Sequence, residues 1–460
     1  MSDDRGLLRR AAEHAADYRR DIATRPQRPD QTYAEAVASW QAPTPEQGEE
    51  GGAIIDDLVR LARPGLHATT GPRFHGWVIG GSHPVGVAAD WLTAAWGQNA
   101  GNHIASPAAA AAESVAEKWL LDILRLPASA SVGFVTGATV ANFVCLAAAR
   151  GAVLRRVGWD VERQGLFGAP LVNLLIGEEA HATVFSALQF LGFGHDRPVK
   201  VAVDAQGAMI PAALEQALAA CDGPTIVIAQ AGEINTGAFD PLAALVPLAH
   251  AKGAWVHVDG AFGLWARACP SKAGLAEGVE LADSWATDGH KWLQTPYDCG
   301  YAIVRDAEAH RRAMVIAASY LPSVGDGERD PTHFVPELSR RARGFATWAM
   351  LRHLGRAGIA TLVEQNCRQA RLIAERVRAE PGIAVLNDVV LNQAILRFGD
   401  EDTSTLAAIA RLQAAGLAYA GGARWRGRWV MRLSVSNWST TDEDALMTAD
   451  AIVAAWRAAH

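Results

Sequence analysis

The sequence contains few cysteines and little that suggests a membrane segment. Its five cysteines are scattered and form no Cys-x-x-Cys pair. This argues against a disulfide framework or a bound metal and predicts a reducing, cytoplasmic setting. The N-terminal stretch MSDDRGLLRRAAEHAADYRR mixes acids with bases and lacks the apolar core of a signal peptide. No apolar stretch is expected to span a bilayer.

An excess of basic charge is missing as well. The formal net charge is -7, which argues against nucleic acid or an anionic membrane as a main partner. Half of the 460 residues are apolar and a fifth are charged. This composition is typical of a soluble globular protein with more than one domain.

The chain is predicted to form three parts: a helical arm over residues 1–65, a large domain over 66–315 and a small domain over 316–460. The arm contains the polar linker QAPTPEQGEEGG. Its first helix carries one apolar stripe, made of Leu7, Leu8, Ala11, Ala12, Ala15 and Tyr18. Such a stripe needs a surface to cover it, and a partner subunit is a candidate.

In the large domain, a glycine-rich segment, GPRFHGWVIGGSHPVG, precedes a helix expected to start at Ser106-Pro107, with the serine as its cap. Short apolar runs then alternate with helical stretches. The runs are VGFVTG, LVNLLIG, VKVAVD, PTIVIAQ, AWVHVDG, SWATD and GYAIVR. They predict an α/β domain whose sheet is buried on both faces.

The remaining residues predict a smaller α+β domain. It would combine a long helix over about residues 340–380 with strands at IAVLN, NQAILRF and WVMRLSV, followed by two further helices.

Ligands of an open α/β sheet bind at the carboxyl ends of its strands, so polar residues there are candidates. The stretch FVTGATVAN passes from a strand into a helix through Gly137, Ala138 and Thr139. It is compatible with an anion site or with a simple capped turn. His181 follows the next strand and is either an ordinary loop histidine or a group that stacks on a ring.

Two further strand ends carry charged residues. Asp259 ends HVDGAFG and needs a partner, either a helix cap or a protonated ring nitrogen. Lys291, in ATDGHKWLQTPYDCG, lies among apolar and small residues. Loss of water there favours the neutral amine, a nucleophile toward carbonyl groups. An anion cradle, a ring stacker, an aspartate and a lysine in this order are what pyridoxal 5'-phosphate requires.

The motifs VTGATVAN, GEINTGAFDPL, HVDGAFG and DGHKWL resemble those of the group II pyridoxal-phosphate-dependent amino acid decarboxylases. The resemblance is specific over residues 70–355, where SRRARGFATWAMLRHLG also resembles a helix of that family. It implies the fold-type I, aspartate aminotransferase-like architecture. This comprises a large domain with a mostly parallel seven-stranded sheet between helices and a smaller α+β C-terminal domain. It also implies a homodimer with active sites at the subunit interface.

The resemblance also implies roles for individual residues. Lys291 would form the Schiff base with the cofactor, Asp259 would pair with the pyridinium nitrogen, and Ala261 would pack against the ring. His181 would stack on the other ring face and assist catalysis. The remaining expected cofactor contacts are Gly137, Ala138 and Thr139 at the phosphate with His290, and Asn235 at O3′ or the substrate.

The implied reaction is decarboxylation of an L-amino acid to its amine and CO2. No arginine cluster suits a dicarboxylate substrate, so an apolar or aromatic one is expected. Arg432 is compatible with a carboxylate clamp or with a structural ion pair. The predicted substrate contacts are Trp77, His103, Tyr320, His333 and Arg432, with His75 and Trp96 also in the entrance region.

One stretch departs from the family pattern. Active relatives carry a proton-donating tyrosine on a mobile loop, and an ungapped count places Pro331 there, in SYLPSVGDGERDPTHFVPELSRR. His333 and Tyr320 are candidate substitutes. Arg340 and Arg341 are expected to begin a helix and to be structural. A carbon–carbon lyase, an aminotransferase and an oxidative deaminase remain alternative enzymes, because each would use the same cofactor site.

Overall fold

The computed structural model describes residues 4–315 and 329–458. The α-helices in these ranges are α1 Asp4–Arg20, α2 Tyr33–Trp40, α3 Gly51–Ala62, α4 Pro84–Trp96, α5 Pro107–Ile123, α6 Ala138–Arg155, α7 Val161–Gln164, α8 Ala182–Phe190, α9 Pro211–Ala219, α10 Leu242–Ala251, α11 Ala307–Met314, α12 Arg343–Arg378, α13 Asp402–Ala415 and α14 Asp442–Arg457. The strands are β1 Ser131–Val135, β2 Asn173–Gly177, β3 Val199–Val201, β4 Thr225–Gln230, β5 Trp255–Asp259, β6 Ser284–Asp288, β7 Gly300–Val304, β8 Ile383–Val385, β9 Gln393–Phe398, β10 Gly421–Trp425 and β11 Arg428–Ser434.

The first seven strands form one sheet in the order β1-β7-β6-β5-β4-β2-β3. Strands β6, β5, β4, β2 and β3 run parallel, and β7 runs antiparallel to both β6 and β1. All seven strands coincide with the apolar runs seen in the sequence, and the α/β prediction is confirmed. Every residue of β1, β4, β5, β6 and β7 is buried, as expected for a sheet between two helical layers.

Helix α6 packs against β5, β6 and β7 and forms much of one helical layer. It is also long and apolar enough, by itself, to cross a bilayer, which differs from the expectation that no stretch would be. Its apolar residues are used inside the protein instead, because 61% of the helix is buried. A core helix with apolar residues on most sides is the usual result of packing between a sheet and other helices.

The C-terminal part forms a second sheet, antiparallel, in the order β10-β11-β9-β8. The predicted α+β character is confirmed, but β10 was not predicted. Its sequence, GGARW, begins with two glycines and lacks the alternating apolar pattern of a strand. The hairpin with β11 therefore supplies the pairing that the local sequence does not indicate.

The N-terminal part contains three helices, and α1 packs against α3. Helix α3 begins at Gly51, so the last two residues of the predicted linker are helical. The carboxylate of Glu50 accepts the backbone N–H groups of Gly52 and Ala53, both at 2.8 Å, and caps the helix. Leu8, in the apolar stripe of α1, stays 64% exposed in the single chain, which leaves part of the stripe uncovered.

The segment before α4 lies directly against the lysine predicted to be catalytic. The N–H of Gly80 donates to the carbonyl of His290 at 3.1 Å. A Cβ at Gly80 would lie 2.2 Å from the carbonyl oxygen of Lys291, so only glycine permits this approach. Helix α5 begins at Pro107 as predicted, but the Ser106 hydroxyl donates to Gln98 Oε1 at 3.0 Å and does not cap the helix.

Helix α12 begins at Arg343, and Gly355, at φ +58°, breaks it into two segments. The prediction that Arg340 and Arg341 begin this helix is wrong, since both precede it. The buried guanidinium of Arg340 donates to the Glu113 carboxylate at 2.6 Å and to two backbone carbonyls. Arg341 pairs with Asp90 at 2.7 Å near the surface. These contacts agree with the structural role predicted for the pair.

Candidate active site

Lys291 lies just beyond the carboxyl end of β6 and faces a buried carboxylate. Its Nζ is 2.9 Å from Asp288 Oδ2 and 5.9 Å from the centre of the Phe262 ring. Asp288 Oδ1 also accepts the backbone N–H of Ala138 at 2.6 Å. Asp288 therefore joins the lysine to the first turn of α6. Asp288 was not predicted as a site residue, although it ends a buried strand just as Asp259 does.

Asp259 ends the neighbouring strand β5 and is buried. Its Oδ1 accepts the N–H of Ala261 at 3.2 Å, and its Oδ2 accepts the side-chain amide of Asn142 at 3.3 Å. Burial raises the pKa of Asp259, while electrostatic interaction with His181 and Lys291 acts in the opposite direction. The structure thus brings Asp259, His181 and Lys291 into one site, as the sequence predicted.

His181 caps the N-terminus of α8 with its ring. Its Nδ1 accepts the N–H of Thr183 at 3.3 Å and lies 2.7 Å from the Thr183 hydroxyl. Burial lowers the pKa of His181, so the ring is neutral near pH 7. Since Nδ1 accepts a hydrogen bond, the remaining proton sits on Nε2, and His181 offers one N–H donor to the site.

The predicted phosphate cradle lies at the start of α6. Ala138 is the first residue of the helix, and its amide is held by Asp288. The Thr139 hydroxyl is half-buried and has no hydrogen-bond partner within the described residues. A Cβ on Gly137 would lie 3.1 Å from His290 Cε1 and 3.2 Å from Asp288 Oδ1. The absence of a side chain at Gly137 therefore keeps the space at the helix end open.

His290 lies beside this cradle with its orientation fixed. Its Nδ1 accepts the N–H of Cys299 at 3.2 Å, and its Nε2 is 3.5 Å from Asp288 Oδ1. Burial lowers the pKa of His290. Tyr297 stacks on the imidazole with ring centres 4.2 Å apart. Tyr297 was missed in the sequence because nothing in its local pattern separates it from an ordinary loop aromatic.

Asn235 and Arg432 each present an unused polar group. Glu233 accepts the backbone and side-chain N–H groups of Asn235 at 2.7 and 2.8 Å. Asn235 Oδ1 is buried and has no partner in the ranges that the structure describes. Burial lowers the pKa of Arg432 on β11, against the effect of Glu233. Arg432 forms no ion pair within the described residues, which favours the carboxylate clamp over the structural ion pair.

Two residues predicted near the substrate entrance, Trp77 and His75, differ in their exposure to solvent. Trp77 is 50% exposed and contacts the rings of Phe74 and Tyr419, at centre distances of 5.6 and 5.3 Å. His75 is buried against α14, where its Nε2 lies 3.1 Å from Thr448 Oγ1. Burial lowers the pKa of His75 to about 4. The expectation for His75 is therefore wrong, because its ring belongs to the interior.

The other predicted substrate residues lie elsewhere on the chain. His103 Nδ1 is 2.6 Å from Asp330 Oδ1, and His333 lies in the short turn Pro331–Phe334, which packs against α11 and β1. Trp96 packs on Phe345. Tyr320 lies outside the described residues. The substrate roles of Trp77, His103, Tyr320 and His333 stay predictions.

The arrangement fits pyridoxal 5'-phosphate. The buried carboxylate of Asp259 suits a protonated ring nitrogen, and the amine of Lys291 is within the same site for attachment to the aldehyde. The orphaned Asn235 Oδ1 needs a donor that the described protein does not supply. At the N-terminus of α6 the predicted phosphate contact Ala138 is already bound by Asp288 through its amide, but the space beside Gly137 and Thr139 suits the phosphate.

Comparison with known proteins identifies the same cofactor chemistry. Residues 35–397 match the pyridoxal-dependent decarboxylase conserved domain. Tryptophan decarboxylase 1 of Oryza sativa subsp. japonica is 27% identical, over 95% of this chain and 90% of its own. Aromatic-L-amino-acid decarboxylase of Sus scrofa is 28% identical, over 94% and 92%. L-2,4-diaminobutyrate decarboxylase of Rhizobium meliloti (strain 1021) is 29% identical, over 88% and 82%.

Solved structures agree on the fold. A crystal structure of Oryza sativa TDC with PLP and tryptamine superposes with a TM-score of 0.92 at 24% identity, over 99% of this chain and 98% of that one. Mouse CSAD gives a TM-score of 0.90 at 22% identity, with 98% of each chain covered. The match of the family model over most of the chain, together with the site around Lys291, leads to one conclusion. The chain belongs to the pyridoxal-dependent decarboxylase family and is an amino acid decarboxylase that uses pyridoxal phosphate.

Proposed function

We propose that this enzyme converts an aromatic L-amino acid into its amine and CO2, and that it works as a homodimer. The observation that carries the substrate class is the aromatic cluster around the half-exposed Trp77. Trp77 lies three residues before Gly80, whose backbone contacts that of His290, the residue before Lys291. Relatives named for tryptophan and for aromatic L-amino acids support the same class.

The charges near the site fit this substrate better than a diamino acid. A second amino group would need a free carboxylate to hold it. Glu233 already accepts hydrogen bonds from Asn235 and Thr236. Asp288 is engaged by Lys291 and Ala138. Within the described part of the chain, these carboxylates are therefore committed to the protein itself.

The residues of the site have separate roles in binding the cofactor and the substrate. When bound, pyridoxal phosphate withdraws electrons from the α-carbon of the amino acid. Lys291 would hold the cofactor through its amine, and Asp259 would provide the anion at the ring nitrogen. His181 faces the site with a neutral ring that donates through Nε2. Arg432 offers its guanidinium to the substrate carboxylate.

Support for a homodimer comes from apolar surface that the single chain leaves uncovered. Leu8 on α1 and Ile54 and Leu58 on α3 are exposed. A groove of about 420 Å³ between α1, α3 and α4 is lined mostly by apolar side chains, among them Tyr18 and Trp91. A second copy of the chain that docks against α1 and α3 would remove this apolar surface from water. Sedimentation velocity of the loaded enzyme should give twice the chain mass, and a monomer at all concentrations would contradict the homodimer.

The substrate proposal is tested with enzyme loaded with pyridoxal phosphate and single L-amino acids. Tryptophan, tyrosine, phenylalanine, glutamate and 2,4-diaminobutyrate are each supplied, and CO2 and amine are both quantified. We expect equal amounts of CO2 and amine from an aromatic substrate, with no activity in Lys291→Ala. Preference for 2,4-diaminobutyrate would contradict the aromatic substrate and would indicate a diamino acid decarboxylase. A β-hydroxy amino acid is supplied as well, and its cleavage to an aldehyde without CO2 would indicate the lyase. Accumulation of pyridoxamine phosphate would indicate the aminotransferase.

A further inference from the structure

A row of buried polar side chains runs from Asp259 into the interior of the large sheet. Trp255 Nε1 is 2.9 Å from Ser284 Oγ, which is 2.9 Å from His257 Nδ1. His257 Nε2 is 2.8 Å from Asn142 Oδ1, and Asn142 Nδ2 is 3.3 Å from Asp259 Oδ2. Asn142, His257 and Ser284 are fully buried. Apart from Asp259, the residues of this row were not predicted as site residues. They are Trp255, Ser284, His257 and Asn142.

The direction of every hydrogen bond in this row is determined by its two ends. The indole N–H of Trp255 can only donate, so Ser284 Oγ accepts from it. The single hydroxyl proton of Ser284 is then left for His257 Nδ1. His257 must carry its own proton on Nε2 and donate it to Asn142, whose amide N–H donates to Asp259. All four protons therefore point toward the carboxylate.

The opposite direction leaves an unpaired group. If His257 donated from Nδ1, Ser284 Oγ would sit between two donors, and its own proton would have no acceptor within the described residues. A buried hydroxyl without an acceptor is unfavourable, because it loses its hydrogen bond to water and gains none in return. A protonated His257 would also fail, because it would donate from both nitrogens. In agreement, burial lowers the pKa of His257 to about 3.

From this geometry we propose that His257 is a positioning residue. With Asn142, it holds Asp259 as an anion aimed at the ring nitrogen of the cofactor. The inference rests on the proposed pairing of Asp259 with that nitrogen. A carboxylate at the end of a buried strand is costly, and donors on its protein side offset part of that cost. Hydrogen bonds that donate in the same direction along a chain also polarise each other. This strengthens the hydrogen bond from Asn142 to Asp259.

Three variants separate this role from simple packing. His257→Leu removes both hydrogen bonds and leaves the Asn142 amide free to turn. His257→Gln keeps one donor and one acceptor at similar positions and should restore the row. His310→Leu is the matched control, since His310 is also buried, with its ring nitrogens 2.8 Å from Ser131 Oγ and 2.9 Å from the Phe334 carbonyl. The row that ends at Asp259 does not include His310.

The experiment measures the ¹⁵N chemical shift of ring-labelled pyridoxal phosphate in the loaded enzymes, together with the cofactor dissociation constant. Wild type, His257→Gln and His310→Leu should show the shift of a protonated pyridine nitrogen. His257→Leu should move toward the neutral value and bind the cofactor about tenfold more weakly. If His257→Leu fails to fold, Ser284→Ala should show a smaller movement in the same direction. It removes the hydroxyl between Trp255 and His257 Nδ1 but leaves the hydrogen bond from His257 to Asn142 in place.

The outcomes distinguish this inference from the proposal on which it rests. A neutral nitrogen in wild type, equal to that in Asp259→Asn, would overturn the role of Asp259 and the inference with it. A protonated nitrogen in wild type that stays unchanged in His257→Leu and in Ser284→Ala would overturn the inference alone. A shift in His257→Leu that His257→Gln does not reverse would assign the effect to packing and would also count against it.

Discussion

At the scale of single residues, two carboxylates at the ends of adjacent strands do different work. Asp259 accepts hydrogen bonds from the protein on its inner side and faces the site. Asp288 binds Lys291 and the first amide of α6. Both belong to strands and motifs that the sequence predicts, but in DGHKWL the chemistry was assigned to His290 and Lys291 and not to Asp288. The role of Asp288 appears only when the fold brings α6 beside β6.

Arg432 provides a residue-scale test of substrate binding. In Arg432→Met, the substrate carboxylate would lose a charged hydrogen-bond partner worth about 1.5–3 kcal/mol. We expect kcat/KM to fall by roughly 10- to 100-fold, while the dissociation constant of the cofactor stays the same. Initial rates at varied substrate concentration measure this. Arg424→Met, on the exposed side of β10, is the control, and equal kinetics in the two variants would contradict the clamp.

At the scale of helices and strands, the approach of β7 to the start of α6 shapes the cradle. A Cβ at Gly300 would lie 2.5 Å from the Cα of Gly137, and neither backbone can move without opening the sheet. Gly300→Ala should therefore destabilise the protein by about 1–3 kcal/mol and weaken cofactor binding. Urea unfolding and a cofactor titration measure the two effects. Gly421→Ala, which meets no atom within 4 Å, should change neither, and equal behaviour would refute the close approach.

The two adjacent arginines before α12 give a second test at this scale. Arg340→Met would leave the buried Glu113 carboxylate with only the longer contact to Arg329, at 3.4 Å. We expect a loss of roughly 3 kcal/mol, since a broken buried pair leaves an uncompensated charge. Arg341→Met removes only a pair near the surface and should cost less than about 1 kcal/mol. Urea midpoints compare the variants, and similar losses in both would contradict the contrast in burial.

Much of the element order could be predicted from the sequence, and the reasons for the misses are physical. The seven strands of the large sheet are apolar runs bounded by turns, so composition alone marks them. Strand β10 was missed because its partner β11, rather than its own residues, makes it a strand. His75 was misplaced because an imidazole in a glycine-rich loop looks accessible until α14 covers it. The boundaries at residues 65 and 315 stay predictions.

At the scale of the whole molecule, buried histidines link stability to pH. Burial lowers the pKa of His310 to about 3, whereas an unfolded histidine titrates near 6.5. Between these values only the unfolded chain binds this proton, so the contribution of His310 makes stability fall as the pH drops. His310→Gln cannot titrate. Its loss of stability on acidification should be less steep, by about 1.4 kcal/mol per pH unit between about pH 6 and 4.

Urea unfolding of both proteins across this pH range measures the difference. His310→Gln keeps a donor for the Phe334 carbonyl and an acceptor for Ser131, so the two proteins should be similarly stable near pH 8. Parallel pH profiles would show that His310 gains its proton in the folded state. That result would contradict the neutral, buried ring described above.

The central claim is that Lys291 is the residue to which the cofactor is attached. The most direct measurement is borohydride reduction of the enzyme loaded with pyridoxal phosphate, which makes the link permanent, followed by peptide mass mapping. We predict one modified peptide, containing Lys291, and none in Lys291→Ala. Modification of a different lysine, or no modification of the wild-type protein, would contradict the account of this site.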